Sequence, residues 1–261
     1  MSMSSLTLAV PEKLLMPPSN KKLGDTMYSF SIPAKTTCPG RSPACTAACY
    51  AAVGFMAYPS VVEAYEARYE ATKQPDFVDR MVREIAKSRV IDIVRVHVSG
   101  DFYDAEYAEK WRQIALQCRK TMFYAYTRSW RDPEILPVLK ELAALKNVRL
   151  WFSADRDTGP APKVRGVQRA FMADQVGSED LVSRKDVDLV FRTRGHRARV
   201  GKAKRFGGVL VCPHEQAPVG KILSKVSCGK CRICFTPTRH PALNKKPEQT
   251  GKTHGKAEDS R

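Results

Sequence analysis

The sequence predicts an α/β protein, folded as a partial (βα)6 barrel-like parallel sheet with a cysteine-rich C-terminal extension. Strand-like and helical segments alternate about six times between residues 26 and 212. Polar or ligating residues follow each predicted strand, and closely spaced cysteines follow the last one. Six units are too few to close an eight-stranded barrel, so we expect an open partial barrel or a doubly wound sheet.

Short apolar segments rich in β-branched and aromatic residues predict the strands. These strands are expected at residues 26–32, 92–98, 122–127, 148–153, 186–192 and 207–212. Apolar residues at helical spacing predict the helices, and Asp104 is placed to cap one of them. The helices are expected at residues 60–73, 75–88, 104–120, 132–146 and 163–176.

The domain organisation follows from length and local composition. With 261 residues and 43% hydrophobic content, the chain can hold one main domain with appendages. A Pro-, Ser- and Lys-rich start predicts an arm without its own core, and a polar end predicts disorder. The expected division is an N-terminal arm at 1–25, a partial barrel at 26–211, a metal-binding extension at 212–235 and a disordered basic tail at 236–261.

The net charge of +17 favours a polyanionic partner such as DNA or RNA, because Lys and Arg that neutralise phosphates release condensed counterions. The basic segment 192–206 is the candidate for contact with a phosphate backbone. The alternative for this segment is a solvated loop, and for the whole chain it is a basic surface that serves solubility.

The expected location is the cytoplasm, without membrane attachment. The N-terminal sequence lacks the basic and apolar regions of a signal peptide, and no apolar run approaches membrane-spanning length. Cysteines in a reducing compartment stay as thiols, and clustered thiols there usually bind metal. The clustered cysteines among the eight are therefore interpreted as metal ligands more readily than as disulfides.

The first cysteine set has C-x6-C-x3-C spacing and comprises Cys38, Cys45 and Cys49. Three thiolates on a [4Fe-4S] cluster leave one iron with a vacant position for a small molecule. The alternative is zinc, with His97 or His214 completing the ligand set. His97 is otherwise expected to be a buried core residue within a strand.

The second set has C-x2-C-x2-C spacing at Cys228, Cys231 and Cys234, and Cys212 can supply a fourth thiolate. Consecutive two-residue gaps are typical of ferredoxin-type clusters, whereas zinc sites usually pair two separate C-x2-C units. The spacing favours a second [4Fe-4S] cluster, with structural zinc as the alternative. Whether the two sets hold two clusters or share one stays open. Cys118 lies late on a helix and is expected to be a small buried residue.

Ligands of parallel α/β folds bind at the carboxyl ends of the strands, so the residues that follow each strand are the candidate site. The candidate catalytic residues are Asp101, Arg128 and Asp155. Residues that bind a cofactor or an anionic substrate are expected among Ser99, Gly100, Asp101, Ser153, Arg156, Arg192 and Arg194. Ser-Gly-Asp also occurs often as a simple turn, so the argument depends on the whole set.

This layout resembles the radical S-adenosylmethionine superfamily, which has a partial (βα)6 barrel and three cysteines after the first strand. The resemblance implies that Cys38, Cys45 and Cys49 ligate a [4Fe-4S] cluster whose unique iron binds S-adenosylmethionine. It also implies that the segment 99–101 contacts the methionine amino group. The usual spacing in that superfamily is C-x3-C-x2-C, which differs from the spacing here.

The wording of three motifs, "TCPGRSPACTAACYA", "HVSGDFYDAEYAEKW" and "CGKCRICF", is similar to the gene-product-88-like family of phages and plasmids. The resemblance covers most of residues 26–235 and implies a protein of a mobile element in a bacterial host.

Three functions follow as hypotheses. The first is an iron–sulfur enzyme of the radical S-adenosylmethionine type, acting on an anionic substrate such as a nucleotide or nucleic acid. The second is a nucleic-acid-binding module whose metals staple the fold. The third is a redox protein that exchanges electrons with a donor and does not use S-adenosylmethionine.

Overall fold

The structure is a computed structural model that describes residues 11–18, 22–88, 90–219, 226–236 and 241–243. Eight strands lie in the described ranges: β1 Tyr28–Phe30, β2 Ile93–Val96, β3 Met122–Thr127, β4 Val148–Ala154, β5 Val167–Ala173, β6 Leu189–Arg192, β7 Arg205–Phe206 and β8 Val209–Val211. The helices there are α1 Pro43–Ala47, α2 Pro59–Lys73, α3 Phe77–Lys87, α4 Ala105–Gln117, α5 Ile135–Ala143, α6 Arg194–Val200 and α7 Cys228–Cys231.

The eight strands form one sheet in the order β1-β2-β3-β4-β5-β6-β8-β7. Every neighbouring pair is parallel except β7 and β8, which form an antiparallel hairpin. The prediction of an α/β protein with a parallel sheet is therefore confirmed. From β1 to β6 the spatial order follows the chain order, whereas a doubly wound sheet reverses direction at a switch point. All carboxyl ends of the parallel strands consequently lie along one edge.

One face of the sheet packs against the helices and forms the main core. Trp111 of α4 contacts Phe30 of β1 and Phe77 of α3 edge-to-face, with ring centroids 5.3 and 6.2 Å apart. Burial of a large apolar side chain contributes about 1.5–3 kcal/mol, so this cluster is a main source of stability. The Asp104 side chain accepts a hydrogen bond from the amide of Tyr107, which confirms the predicted cap of α4.

The opposite face of the sheet is covered by the C-terminal segment 226–236. Alternate residues of a strand point to opposite faces, so Tyr124 and Tyr126 of β3 project away from the helices. Tyr124 contacts Phe235 of the C-terminal segment at 5.5 Å between ring centroids, and Tyr126 stacks on Trp151 of β4 at 5.5 Å. The cysteine-rich segment is therefore packed on the sheet.

The prediction of a helix at residues 163–176 is wrong, because this segment contains β5. Strand β5 lies between β4 and β6 and is covered on both faces, with Ala170 in one apolar cluster and Phe171 in another. Burial on both faces removes the alternation by which a strand is recognised in a sequence. The sheet consequently has more strands than the sequence predicted.

The two predicted terminal segments are only partly described. Of the arm at 1–25, residues 1–10 and 19–21 lie outside the described residues, while Leu14 and Leu23 are fully packed against the rest of the protein. Met16 also forms an antiparallel bridge with Ser29 at the edge of the sheet. Of the tail at 236–261, Leu243 is buried, and most of the other residues lie outside the described ranges. No helix in the described ranges combines the length and apolar character that a membrane crossing requires.

Candidate functional site

The three-cysteine loop connects β1 to α2 and contains the short helix α1. Cys45 lies in α1, and Cys38 and Cys49 lie on either side of it. The Ser42 side chain caps this helix by accepting a hydrogen bond from the amide of Cys45 at 2.9 Å. Such a cap contributes about 1 kcal/mol, so it holds Cys45 in a defined position within an otherwise irregular loop.

The three thiols are neighbours, Cys38 and Cys45 both lie near Asp101, and Cys45 also lies near Arg128. Burial raises the pKa of Cys38 to about 12, with further upward effects from Asp101, Cys45 and Cys49. Burial also raises the pKa of Cys45, while the guanidinium of Arg128 acts in the opposite direction. Without a bound cation the thiols of Cys38 and Cys45 stay protonated, because desolvation disfavours the thiolate. A metal that coordinates them must displace their protons.

Two carboxylates that follow β4 hold the cysteine loop over the sheet edge. The Ser42 hydroxyl donates to Asp155 Oδ2 at 2.6 Å, and the amide of Ala44 donates to Asp157 Oδ2 at 2.7 Å. The sequence analysis did not identify Ser42 or Asp157 as site residues. The Ser-Pro pair at the start of α1 is a helix-start signal that could have identified Ser42.

The predicted catalytic residues Asp101, Arg128 and Asp155 lie together directly beneath this loop. The Arg128 amide donates to Asp101 Oδ2 at 2.8 Å, and Arg128 Nη2 lies 3.0 Å from Asp155 Oδ2. Burial raises the pKa of Asp101, although hydrogen bonds from Thr127 and from the Arg128 amide oppose the shift. The ends of β2, β3 and β4 thus meet in one network of charged groups.

Asp155 is suited to positioning rather than to proton transfer. Its Oδ2 accepts from Ser42 and Arg128, and its Oδ1 accepts from the amides of Asp157 and Thr158 at 3.0 and 3.2 Å. Arg128, in contrast, keeps a buried Nε that has no partner among the described residues. This donor is available to an anionic group at the edge of the sheet.

Two glycines allow the loop to approach the strand ends at backbone distance. A Cβ on Gly40 would lie 1.9 Å from the carbonyl oxygen of Arg128. Gly100 has φ +82°, and a Cβ there would lie 2.4 Å from Ile32 Cγ1. Arg131 Nη1 also donates to the carbonyl of Gly40 at 3.0 Å. Only glycine permits these contacts without displacement of the loop.

The other predicted binding residues are placed differently. Ser99 is buried, and its hydroxyl has no partner in the described part of the chain. The Ser153 carbonyl accepts from Trp130 Nε1 at 3.0 Å, so its backbone supports the fold. Arg194 is exposed at the start of α6. Ser99 thus lies beside the Asp101 network, whereas Ser153 and Arg194 form no hydrogen bond or ion pair with that network within the described residues.

Arg192 lies in a separate, buried network. Its Nε donates to His196 Nδ1 at 3.0 Å, its Nη2 donates to the Gly201 carbonyl at 2.7 Å, and its Nη1 donates to the Glu215 carbonyl at 3.2 Å. His196 Nε2 in turn lies 2.8 Å from Glu179 Oε2. The structure does not bring Arg192 together with Asp101, Arg128 and Asp155, since its donors hold the ends of β6 and β8 in place.

His97 lies in the core, as expected for a buried residue of the strand region. Its Nε2 forms a hydrogen bond with the Tyr107 hydroxyl at 2.8 Å, and its ring packs against Phe102 at 4.7 Å. Burial lowers the pKa of His97 to about 3, so the ring is neutral at physiological pH. His214, the other candidate zinc ligand, has Nδ1 3.4 Å from the Val226 carbonyl. Cys118 packs in the main core, as expected.

The second cysteine set forms its own group. Cys212 follows β8 and is buried, α7 carries Cys228 and Cys231, and Cys234 lies just beyond α7. Charge interactions connect Cys212 with Cys228 and Cys234, and connect Cys234 with Cys231. The thiols of each set therefore interact within that set, which places them in two groups.

Backbone contacts from distant segments fix the second group on the sheet. The Cys228 amide donates to the Lys22 carbonyl at 2.7 Å, and the Gly229 amide donates to the Leu23 carbonyl at 3.0 Å. Trp151 Nε1 donates to the Cys234 carbonyl at 2.9 Å. The four thiols thus depend on the N-terminal segment, on β4 and on β8.

Polar groups also surround this second set. The Tyr126 hydroxyl donates to the Cys234 sulfur at 2.8 Å. The Lys22 ammonium forms an ion pair with Glu215 at 2.6 Å. Although burial opposes the shift, Glu215 and then Cys212 raise the pKa of Lys22, so this lysine is charged beside the thiols. Tyr126 and Lys22 were not predicted from the sequence as neighbours of this set, because neither belongs to a recognisable motif.

Neither set is arranged around a single ion. Within the described ranges, no three His, Cys, Asp or Glu side chains converge as ligands of one metal ion.

The fold and these two groups define a parallel α/β protein with two cysteine sites, one of them at the carboxyl edge of the sheet. The chain belongs to the gene product 88 family, which matches residues 10–237 and confirms that predicted resemblance. It is 24% identical to the gene 88 protein of Mycobacterium phage L5 over 218 residues, or 78% of this chain and 80% of that protein. It is 26% identical to the gene 88 protein of Mycobacterium phage D29 over 131 residues, or 46% and 53% of the two chains. No solved structure matches the chain.

Proposed function

We propose that this protein is an iron–sulfur enzyme of the radical S-adenosylmethionine type, encoded by a mobile element and active in the host cytoplasm. In this proposal the sheet is a partial barrel. Cys38, Cys45 and Cys49 hold a [4Fe-4S] cluster with one open coordination position. The four cysteines of the second group hold an auxiliary [4Fe-4S] cluster on the opposite face of the sheet.

The observation that carries the proposal is the attachment of the three-cysteine loop to the ends of three parallel strands. Ser42, Asp155 and Arg128 form a continuous chain of contacts from the loop to Asp101. The charged neighbours of Cys38 and Cys45 are cysteines, aspartates and Arg128, with no histidine in the described residues. Three soft thiolates without an imidazole suit an iron–sulfur cluster better than zinc.

The residues around the loop also fit S-adenosylmethionine and an anionic substrate. If Cys38, Cys45 and Cys49 held a reduced [4Fe-4S] cluster, it would supply the electron that breaks a carbon–sulfur bond of S-adenosylmethionine. The Nε of Arg128 and the hydroxyl of Ser99 are buried without a partner among the described residues, so both can donate to carboxylate or phosphate oxygens. Because Gly100 has no side chain, Ile32 and Thr37 can pack directly against its backbone. Asp155 orients Arg128 and the loop at the same time.

The first test is the content of iron, acid-labile sulfide and zinc per chain after anaerobic purification. We expect about eight irons with matching sulfide, and a change in the electron paramagnetic resonance of the reduced protein when S-adenosylmethionine is added. Zinc without sulfide would contradict the proposal. Two clusters without any response to S-adenosylmethionine would leave the redox protein that exchanges electrons with a donor.

A second candidate function, nucleic-acid binding, is favoured by exposed basic residues after β6. Four exposed basic residues lie there: Arg194, Arg199, Lys202 and Lys204. Their side chains form no hydrogen bond or ion pair with other described residues. They follow the carboxyl end of β6, so a bound backbone would run along the same edge as the first cysteine set. DNA or RNA could thus be either a partner of the module or the anionic substrate of the enzyme.

Replacement of these four residues by Ala is expected to reduce the dependence of single-stranded DNA affinity on salt. Each phosphate contact contributes about 0.7–0.9 to the slope of log K against log salt, so the slope should fall by about 3. The matched control removes four exposed basic residues from the helical side: Arg83, Lys87, Lys120 and Lys146. Equal losses of slope in both variants, measured by fluorescence anisotropy, would contradict a specific basic edge.

A further inference from the structure

Two groups beside the second cysteine set favour the more negative state of whatever the thiols bind. The first is the Tyr126 hydroxyl, which donates to the Cys234 sulfur at 2.8 Å. Tyr126 belongs to the middle of β3 and stacks on Trp151, so its hydroxyl is held in place by the sheet. A fixed donor to a ligand sulfur withdraws electron density from that sulfur.

The second group is the guanidinium of Arg95, which projects from β2 on the same face of the sheet. Its central carbon lies 5.8 Å from the ring centroid of Tyr126 and 6.0 Å from that of Tyr124. Its Nε is buried without a partner, and the described residues provide no ion pair between Arg95 and a carboxylate. Burial opposes the charge, whereas Tyr50 and Tyr124, followed by Cys228, raise the pKa of Arg95.

A buried cation without a carboxylate is costly unless another anion compensates it. Arg95 lies over the ring of Tyr126, and the Tyr126 hydroxyl donates to the Cys234 sulfur, so an anionic group held by the second cysteine set would lie close to this cation. Lys22 adds a further cation beside Cys212. A structural zinc site keeps a constant charge, so these neighbouring groups would stabilise only one charge state of it. A cluster that accepts an electron becomes more negative, and the same groups then raise its reduction potential.

We propose that the four-cysteine site is an electron-transfer site whose reduction potential Tyr126 and Arg95 raise as positioning residues. This inference rests on the proposed iron–sulfur function. In the step concerned, the oxidised cluster takes one electron from a one-electron donor, no bond breaks, and the donor is oxidised by one electron. Arg95 and the Tyr126 hydroxyl stabilise the added negative charge.

The test is a redox titration, with dithionite as reductant, of Tyr126→Phe and Tyr103→Phe, both in a Cys45→Ala background that leaves the second cluster as the signal. Tyr103 is the matched control because its hydroxyl also has a partner, the Thr72 hydroxyl at 2.8 Å, but its ring packs against the main core. Phe at position 126 keeps the stacking on Trp151. Arg95→Met is the second variant and keeps most of the side-chain volume.

We expect Tyr126→Phe and Arg95→Met each to shift the ratio of oxidised to reduced cluster about tenfold toward the oxidised form, which is about 59 mV for one electron. Tyr103→Phe should shift it much less. Iron and sulfide are measured on each sample. If the cluster is loaded and its reduction potential is the same in the parent and in all three variants, the electron-transfer assignment is overturned. The proposed function would then stay intact. Zinc without sulfide in the parent protein would overturn both.

Discussion

Cys45→Ala is expected to lower the iron content from about eight to about four atoms per chain and to abolish the spectroscopic response to S-adenosylmethionine. Cys45 is the thiol that the cap of α1 orients, and its charge neighbours include both Arg128 and Asp155. Loss of this ligand leaves two thiolates, which cannot hold a cubane. The second set lies on the face of the sheet opposite the helices and has its own four ligands, so it should keep its iron.

Two further cysteine variants make this result specific. Cys231→Ala should also lose about four irons, yet it should keep the response to S-adenosylmethionine, because it removes a ligand of the second set. Cys118→Ala removes a thiol from the main core and should change neither readout. Loss of all iron in Cys45→Ala would indicate that both sets serve one cluster, contrary to the two groups in the structure.

Gly40→Ala is expected to remove iron from the first site even though no ligand is changed. The added Cβ would lie 1.9 Å from the Arg128 carbonyl oxygen, so either the loop or the end of β3 must move. Overpacking of this kind costs about 1–3 kcal/mol, and the displacement separates the thiols from Arg128. Iron content should fall to about half, with a lower melting temperature.

The control for this substitution is Gly195→Ala in α6. Gly195 has a helical backbone, and the nearest atom to its added Cβ is 4.0 Å away. Replacement of a helical Gly by Ala should leave the iron content unchanged and stabilise the protein by up to about 1 kcal/mol. If Gly40→Ala kept full iron and normal stability, the close approach of loop and strand would not be needed for the first site.

Local sequence signals were sufficient for most of the sheet and for the grouping of Asp101, Arg128 and Asp155. Arg128 and Asp155 directly follow β3 and β4, Asp101 comes a few residues after β2, and the carboxyl ends of neighbouring parallel strands meet at one edge. Their proximity therefore follows from the predicted topology alone. Asp104 was also recognised, since a helix cap depends on residues adjacent in sequence.

Contacts between distant segments could not be predicted in this way. Arg95 and Tyr126 occupy ordinary strand positions, and their relation to the second cysteine set arises only when the C-terminal segment packs on the sheet. Ser42 acquires its second role because it lies 2.6 Å from Asp155, which is 113 positions away in the chain. Strand β5 was mistaken because burial on both faces hides its period.

The contacts of Cys228 and Gly229 with the backbone at Lys22 and Leu23 have a consequence for biosynthesis. The four-cysteine site needs the segment at residues 22–23 as well as the segment at residues 228–229. A ribosome-bound chain that has not yet exposed Cys228 has no such site, however well its sheet is formed. Any metal group can be inserted there only after these two distant segments have met, so occupancy of the site reports their contact.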